Sequence, residues 1–227
     1  MFVVEGQKLV REALDSGLAV DAIYAAPAAA AEHPGAHVLA EGVLERISDT
    51  VTPQGVMAVV QRPETTIDAA RDAELVVVCV DVQDPGNAGT VIRSAEAAGV
   101  GAVICCGDSV DVFAPKCVRA SAGSLFHVPV VSEGDPVAVL DQLGTWGKHR
   151  LGTVAAGGRP YDEIDLTAPT ALVLGNEAHG LPAAVDAALD DHLTIPMAGR
   201  SESLNVGMAA AVVCFEAARQ HRTAARG

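Results

Sequence analysis

Strand-like and helix-like segments alternate through the last two thirds of this chain, and that alternation limits its fold more than any other feature. Leu75–Val80 is a continuous apolar run, as expected of a strand that is buried on both faces. A helical pattern at Thr90–Ala98 follows, and a second strand is predicted at Ala102–Cys105. The repeat predicts an α/β fold in which helices cover both sides of a parallel sheet.

The same alternation continues to the C-terminus, so a large unit is predicted at residues 74–227. Its further strands are predicted at His127–Val131, Leu151–Ala155, Ala171–Leu174 and His192–Ile195, and its further helices after Pro115, at Val137–Leu143, after Pro182 and at Asn205–Gln220.

Residues 1–62 have the pattern of a smaller α/β unit. A helix predicted at Gln7–Ser16 carries an apolar face and ends at Gly17. Strands are predicted at Ala22–Ala25, His37–Leu39 and Gly55–Gln61, with a helix near Gly42–Ile47. A polar segment with a proline begins at Arg62, so we place a linker at residues 63–73.

The composition argues against a general nucleic-acid binder. The formal net charge is −14, with 29 acidic against 15 basic residues, whereas phosphate contacts require Lys and Arg. Arginine, which suits bidentate phosphate contact, supplies 12 of the 15 basic residues. Four of these arginines lie in or beside glycine-containing loops, so a local anion site remains compatible with the acidic total: Arg93, Arg119, Arg159 and Arg200.

The sequence also predicts the compartment. No apolar run approaches the roughly 18 residues that span a membrane, and Met1–Gly6 lacks the features of a signal peptide. The five cysteines form no Cys-x-x-Cys pair, which is typical of buried structural thiols in a reducing compartment. We therefore expect a cytoplasmic protein without a membrane segment.

Three loops follow predicted strand ends, where open α/β sheets bind ligands. In the first, Asn87 and Gly89 are expected at the strand-to-helix turn, with Arg93 about one turn into the helix. A helix start with a nearby arginine can bind an anion, and a tight turn with a surface arginine explains the same pattern. The loop is neither Gly-x-Gly-x-x-Gly nor a Walker motif.

The second loop runs from Leu174 to Leu181, where Gly175 and Gly180 bracket an acid and a histidine. Glu177 could orient a substrate or a cation, or accept hydrogen bonds from loop amides. His179 in such a loop is more often a packing or solvent-facing residue than a catalyst. No Cys or His spacing indicates a metal site.

The third loop leads from Ile195 into an Ala/Val-rich helix. Ser203 and Asn205 lie at its start, where backbone N–H groups are unsatisfied and a partial positive charge is present. The two side chains could cap the helix, or they could help to hold a phosphate.

Together, in this order, the three loops resemble motifs 1, 2 and 3 of the SpoU (TrmH-like) RNA 2′-O-ribose methyltransferases of the SPOUT superfamily. The motifs are Asn87-x-Gly89-x-x-x-Arg93, Leu174-Gly175-x-Glu177-x-x-Gly180, and Ile195-Pro196 followed by Ser203-Leu204-Asn205-Val206. The resemblance covers roughly Val76 to Phe215, and Pro115–Ser124 is similar to a further signature of the family. The first unit resembles the L30e-like domain that binds substrate RNA in relatives.

The resemblance implies a C-terminal trefoil knot that binds S-adenosylmethionine, a homodimer through the knot domain, and chemistry without a metal. By resemblance, the cofactor would contact Leu174, Gly175, Ile195, Met197 and Leu204. The catalytic group would be Arg93, Asn87, Glu177, Ser203 and Asn205, and RNA would contact Lys116, Arg119 and Ser121.

The sequence therefore predicts methylation of a ribose 2′-hydroxyl in RNA, with rRNA as the main substrate and tRNA as the alternative. A catalytically silent RNA-binding protein of the same fold is a second alternative, which the intact motif residues disfavour. A Rossmann-type nucleotide enzyme would require Gly-x-Gly-x-x-Gly after its first strand, and this motif is absent.

Overall fold

The computed structural model describes residues 1–48, 50, 52–132 and 134–226. These residues form two sheets and seven α-helices. The elements are β1 (Phe2–Glu5), α1 (Gln7–Asp15), β2 (Val20–Ala25), β3 (His37–Val38), α2 (Val43–Ile47), β4 (Val56–Val60), β5 (Leu75–Val80), α3 (Pro85–Ala98), β6 (Ala102–Cys106), α4 (Pro115–Ala120), β7 (Val130–Ser132), α5 (Pro136–Thr145), β8 (His149–Thr153), β9 (Arg159–Pro160), β10 (Thr170–Leu174), α6 (Ala183–Asp186), β11 (Asp191–Thr194) and α7 (Val206–Ala224).

The larger sheet has seven parallel strands in the order β7-β6-β5-β10-β8-β11-β9. Every residue of β5, which lies inside the sheet, is buried. Alternate residues of β5 face two apolar layers, one containing α3, α4 and α7 and the other containing α5 and α6. The predicted α/β class, with a parallel sheet covered on both sides, is confirmed.

The smaller sheet has the order β1-β4-β2-β3, with β4 antiparallel to both β1 and β2. Helix α1 covers it through the buried side chains of Val10 and Ala13. These residues belong to the same apolar cluster as α3, α4 and α7, so the core is continuous between the N-terminal unit and the larger unit. The ring of Phe2 lies 5.0 Å from that of Phe113 across this junction.

The start of α3 differs from the sequence-based expectation. The helix begins at Pro85 rather than Thr90, because the Asp84 carboxylate accepts a hydrogen bond from the Asn87 N–H and Pro85 occupies the first helical position. Asn87 and Gly89 therefore lie inside the helix, and Arg93 lies two turns from its start instead of one.

Smaller differences concern the ends of strands. Strand β7 begins at Val130 rather than His127 because a 3₁₀ turn at Ser124–Phe126 occupies the preceding residues. Strand β8 ends at Thr153, so the predicted continuation to Ala155 is loop. The prediction missed β1 and the two-residue β9.

Two further findings concern the cysteines and the helices. All five cysteines are buried and have free thiols. In the described ranges, no helix has both the length and the apolar character needed to cross a bilayer.

Candidate functional site

A cavity of about 510 Å³ opens beside the carboxyl ends of β8, β10 and β11. Its walls combine apolar side chains from β11 and α7 with the polar loops that precede α7 and follow β10. The lining residues are Asn87, Thr153, Val154, Ala155, Gly175, Asn176, Glu177, Ala178, Gly180, Leu193, Ile195, Met197, Ser203, Leu204, Asn205, Val206 and Ala209. The size is typical of a small-molecule site.

A chain of side-chain hydrogen bonds runs along one edge of this cavity. The Asn87 Nδ2 donates to Glu177 Oε1 at 2.7 Å, and Asn87 Oδ1 accepts from Asn205 Nδ2 at 2.8 Å. Asn87 is therefore a relay between the loop after β10 and the start of α7. Glu177 and Asn205 lie 90 and 118 positions after Asn87 in the sequence, and both bind its side-chain amide.

Asn205 has two roles in the structure. Its Oδ1 accepts a hydrogen bond of 2.9 Å from the Gly207 N–H and so caps α7. Its Nδ2 points the other way, toward Asn87. Ser203 lies two residues before the cap and lines the cavity as an exposed side chain.

The loop after β10 is tightly closed. Asn176 and Gly180 exchange backbone hydrogen bonds of 3.0 and 2.9 Å, and the Asn176 Nδ2 donates to the Asp81 carbonyl at the end of β5. A Cβ at Gly175 would lie 2.6 Å from the Gly180 carbonyl carbon, so only glycine fits there. This closure fixes the backbone that carries Glu177.

Two oppositely charged side chains, Asp84 and Lys116, lie together at the start of α3. Hydrogen bonding from the Asn87 backbone N–H, assisted by Lys116, lowers the pKa of Asp84. The Lys116 Nζ lies 3.3 Å from Asp84 Oδ2 and remains largely exposed. A negative charge at this helix start stabilises the turn that presents Asn87.

Eight of the thirteen predicted site residues line the cavity: Asn87, Gly175, Glu177, Ile195, Met197, Ser203, Leu204 and Asn205. Five lie outside its lining in the described part of the chain: Arg93, Lys116, Arg119, Ser121 and Leu174. Leu174 is fully buried at the end of β10, immediately before Gly175. Arg93 is exposed on α3.

The structure disagrees with the predicted RNA contact of Ser121. Ser121 is fully buried, and its hydroxyl donates to the Val118 carbonyl at 2.8 Å, so it closes the end of α4. Arg119 points to the junction with the N-terminal unit, where its Nη1 lies 3.7 Å from Glu5 Oε2.

Nine further lining residues were not among the predicted site residues, although two of them, Gly180 and Val206, are fixed positions of motifs 2 and 3: Thr153, Val154, Ala155, Asn176, Ala178, Gly180, Leu193, Val206 and Ala209. Thr153 ends β8, and Val154 and Ala155 follow it, so their position at the site depends on β8 lying between β10 and β11. Asn176 could have been found, because Asn between two glycines after a strand is typical of a side chain that closes a loop.

The sequence model of the SpoU rRNA Methylase family matches residues 74–215, which include every residue of the hydrogen-bonded edge. The chain belongs to the SpoU rRNA methylase family. Residues 1–58 match the model of the MRM3-like substrate binding domain.

Curated relatives of this SpoU protein carry specific names. It is 38% identical over 219 residues to the Bacillus subtilis 23S rRNA (guanosine(2553)-2′-O)-methyltransferase RlmP, covering 94% of this chain and 87% of that protein. It is 38% identical over 179 residues to the Streptomyces viridochromogenes 23S rRNA (uridine(2479)-2′-O)-methyltransferase, covering 74% of this chain and 61% of that one.

Solved structures of methyltransferases have a similar fold. The S. viridochromogenes methyltransferase AviRb in complex with AdoMet has a TM-score of 0.86 and 31% identity, covering 98% of this chain and 91% of that one. The AdoMet-bound rRNA methyltransferase from Sinorhizobium meliloti has a TM-score of 0.81 and 34% identity, covering 96% and 87%.

Proposed function

We propose that this SpoU protein methylates a ribose 2′-hydroxyl of RNA, with S-adenosylmethionine as methyl donor and rRNA as substrate. The observation that carries the proposal is the Glu177–Asn87–Asn205 chain, which joins the loop after β10 to the first turn of α3 and the start of α7 at the edge of one cavity. The names of the Bacillus and Streptomyces relatives, both 23S rRNA 2′-O-methyltransferases, support the reaction and the substrate class.

The cavity has the chemistry that S-adenosylmethionine requires. Ile195, Met197 and Leu204 provide an apolar wall suited to an adenine ring, and Gly175 lets main-chain groups approach a ligand closely. Leu174 would contribute through its main chain, because its side chain is buried. When bound, the cofactor supplies a methyl group on a positively charged sulfur.

The residues of this chain would act chiefly by positioning. Methyl transfer requires the 2′-hydroxyl to be held in line with the methyl group, and such alignment supplies a large part of a rate enhancement. Glu177 would orient the donor side. Asn87, Ser203 and Asn205 would hold Arg93 and the target phosphate in place. The hydrogen bonds of Asn87 to both neighbours keep its amide in one orientation.

Arg93 would activate the hydroxyl. An arginine side chain is a poor base because it stays charged in proteins, so we assign Arg93 a role together with the target phosphate, in which it activates the hydroxyl as much by lowering its pKa through charge as by taking its proton. Arg93 lies six residues beyond Asn87 on α3, which is about 9 Å along the helix axis. It would therefore act at the outer edge of the site, on bound RNA.

Single-turnover methylation of RNA tests this role. Arg93→Ala should lower the rate about 100-fold while leaving the affinity for S-adenosylmethionine nearly unchanged. Arg222→Ala, which removes an exposed arginine from the last turn of α7, is the control and should retain the wild-type rate. An unchanged rate in Arg93→Ala would refute the assignment.

We further propose that residues 1–62 form an L30e-like domain that binds the RNA, followed by a linker at 63–73 and the methyltransferase domain at 74–227. The match of residues 1–58 to a substrate binding domain supports this division. Residues 1–70 carry 4 basic and 10 acidic side chains, a net charge of 4 − 10 = −6, so RNA would dock on a restricted surface. The exposed Lys116 is positioned to extend that surface beside α3.

The proposed assembly is a homodimer through a knotted C-terminal region. Two features support the SPOUT-type knot: β10 lies between β5 and β8, and the C-terminal helix α7 returns to pack on α3. The exposed side of α7 supports dimerisation, because Met208 and Phe215 are 59% and 48% exposed two turns apart.

A further inference from the structure

Glu5 lies where the N-terminal unit meets the methyltransferase unit. It ends β1, and its side chain is only 8% exposed. Its Oε1 accepts hydrogen bonds from Thr50 Oγ1 at 2.8 Å and from the Ser48 hydroxyl, while its Oε2 lies 3.7 Å from Arg119 Nη1. One carboxylate therefore joins the segment after α2 to helix α4 of the other unit.

Helix α4 is in turn packed against α3 without a gap. A Cβ at Gly89 would lie 2.5 Å from the Ala120 Cβ and 2.8 Å from the Cys117 carbonyl oxygen. The two helices are thus in backbone contact next to Arg119, and a shift of α4 would displace α3. Asn87, the relay of the site, lies two residues before Gly89 on the same turn of α3.

Two other polar contacts at this junction are more exposed than the Glu5–Arg119 pair. The side chains of Arg62 and Asp111 are 43% and 55% exposed, and those of Glu12 and His127 are both 38% exposed. Exposed pairs of this kind contribute little. A buried carboxylate is costly unless it is paired. The contact with Arg119 is an ion pair at 3.7 Å rather than a hydrogen bond, and within the described residues the buried Arg119 Nη1 has no hydrogen-bond partner, so Glu5 supplies the charge that this nitrogen faces.

We propose that Glu5 and Arg119 are positioning residues that hold the N-terminal unit at a fixed orientation relative to Asn87, so that RNA bound by that unit presents its ribose to the site. This inference rests on the proposed function. It assigns Arg119 a role through Glu5 rather than through direct contact with RNA.

The test compares Glu5→Gln, Arg119→Gln and the double variant in the full chain. Each single variant should lower kcat at saturating RNA about tenfold or more, and the double variant should be no slower, because either change breaks the same link. Affinities for S-adenosylmethionine and RNA, and the salt dependence of RNA binding, should be unchanged. Arg119→Lys keeps the charge and should retain most of the activity.

Asp68→Asn is the matched control, since it removes an exposed ion pair with Arg71 that joins no two units. Hydrogen–deuterium exchange gives a readout independent of activity: amides of residues 85–93 should exchange faster in Glu5→Gln than in Asp68→Asn. If these amides exchange at the same rate in both variants, the proposed coupling between Glu5 and α3 is overturned.

A direct RNA contact by Arg119 would give a different result. Arg119→Gln would then weaken RNA binding and reduce its salt dependence by about one phosphate contact, while Glu5→Gln would not, and this outcome would overturn the proposal. A wild-type protein that methylates no RNA would refute the proposed function, whereas the exchange measurement would still decide the role of Glu5.

Discussion

At the scale of single residues, the amide of Asn87 connects the elements of the site. A primary amide can donate and accept at once, and Asn87 uses both atoms, donating to Glu177 and accepting from Asn205. Aspartate could not donate to Glu177, and alanine could make neither bond. The identity of this one side chain therefore decides whether the loop after β10, the start of α3 and the start of α7 hold one geometry.

Replacement of Asn87 by Ala should separate catalysis from folding. We expect kcat for RNA methylation to fall about 10- to 100-fold, because Glu177 and Asn205 lose their common partner. The free energy of unfolding should change by only about 1 kcal/mol, since both bonds are solvent-exposed. Stopped-time methylation assays and urea unfolding measure the two quantities, and a variant with wild-type kcat would contradict the relay.

Asp190 predicts a pH dependence of stability. Hydrogen bonds from the Arg150 side chain lower the pKa of Asp190 to about 2, although it retains some exposure to water. A lowered pKa in the folded state means that the stabilisation is present above the unfolded pKa of about 3.9 and is lost as the pH falls through about 2.

Urea unfolding of wild type and Asp190→Asn at several pH values tests this dependence. The wild type should be more stable by about 1 kcal/mol at pH 5 to 7, a modest difference because water screens the pair. The difference should shrink between about pH 4 and pH 2. A difference that is constant down to pH 2 would contradict the assignment to Asp190.

At the scale of elements, the beginning of α3 and its contact with α4 set the position of the site. Asp84 and Pro85 start the helix early enough to bring Asn87 into its first turn. Gly89 then allows α4 to approach at backbone distance. The six residues 84–89 therefore determine both where α3 begins and where it contacts α4.

Gly89→Ala should destabilise the protein by about 1–3 kcal/mol, because the added methyl group overlaps the Ala120 Cβ and the Cys117 carbonyl oxygen. Gly199→Ala is the matched control, because no atom lies within 4 Å of a Cβ at that position. This change should alter the free energy of unfolding by less than about 0.5 kcal/mol. Thermal and urea unfolding compare the two, and equal stabilities would show that α3 and α4 can separate at little cost.

The sequence could predict the elements and the loops better than their arrangement. The apolar run at Leu75–Val80 and the motif loops identified the sheet and eight lining residues. The start of α3 was missed because Pro85-Gly86 is typical of a turn, and only the hydrogen bond to Asp84 makes it a helix start. The contribution of Thr153 could not be predicted, because it depends on the strand order β10-β8-β11.

At the scale of the whole molecule, one continuous apolar core joins the N-terminal unit to the methyltransferase unit. The N-terminal unit therefore packs against α4 of the methyltransferase unit, in addition to being joined to that unit through the chain. Helix α7 has its buried side on α3, while its other side carries Met208 and Phe215 at the surface. The packing of the N-terminal unit bears on how RNA is placed at the site, and the exposed side of α7 bears on dimerisation.

Phe215→Glu should convert the proposed dimer to a monomer without unfolding it, since it puts a charge into an apolar contact. Leu14→Glu is the control, because Leu14 is similarly exposed at 44% but lies on α1. Light scattering after size-exclusion chromatography should give a dimer for wild type and for Leu14→Glu. A monomeric wild type would refute the proposed assembly.

The central claim is ribose methylation of rRNA, and mass spectrometry of nucleosides tests it most directly. Unmodified 23S rRNA transcript is incubated with the protein and S-adenosylmethionine, digested to nucleosides and analysed for methylated products. We predict one new 2′-O-methylated nucleoside with wild type and a strongly reduced amount with Asn87→Ala. Methylation on a base, or a 2′-O-methylated product that forms only when tRNA replaces rRNA, would contradict this account.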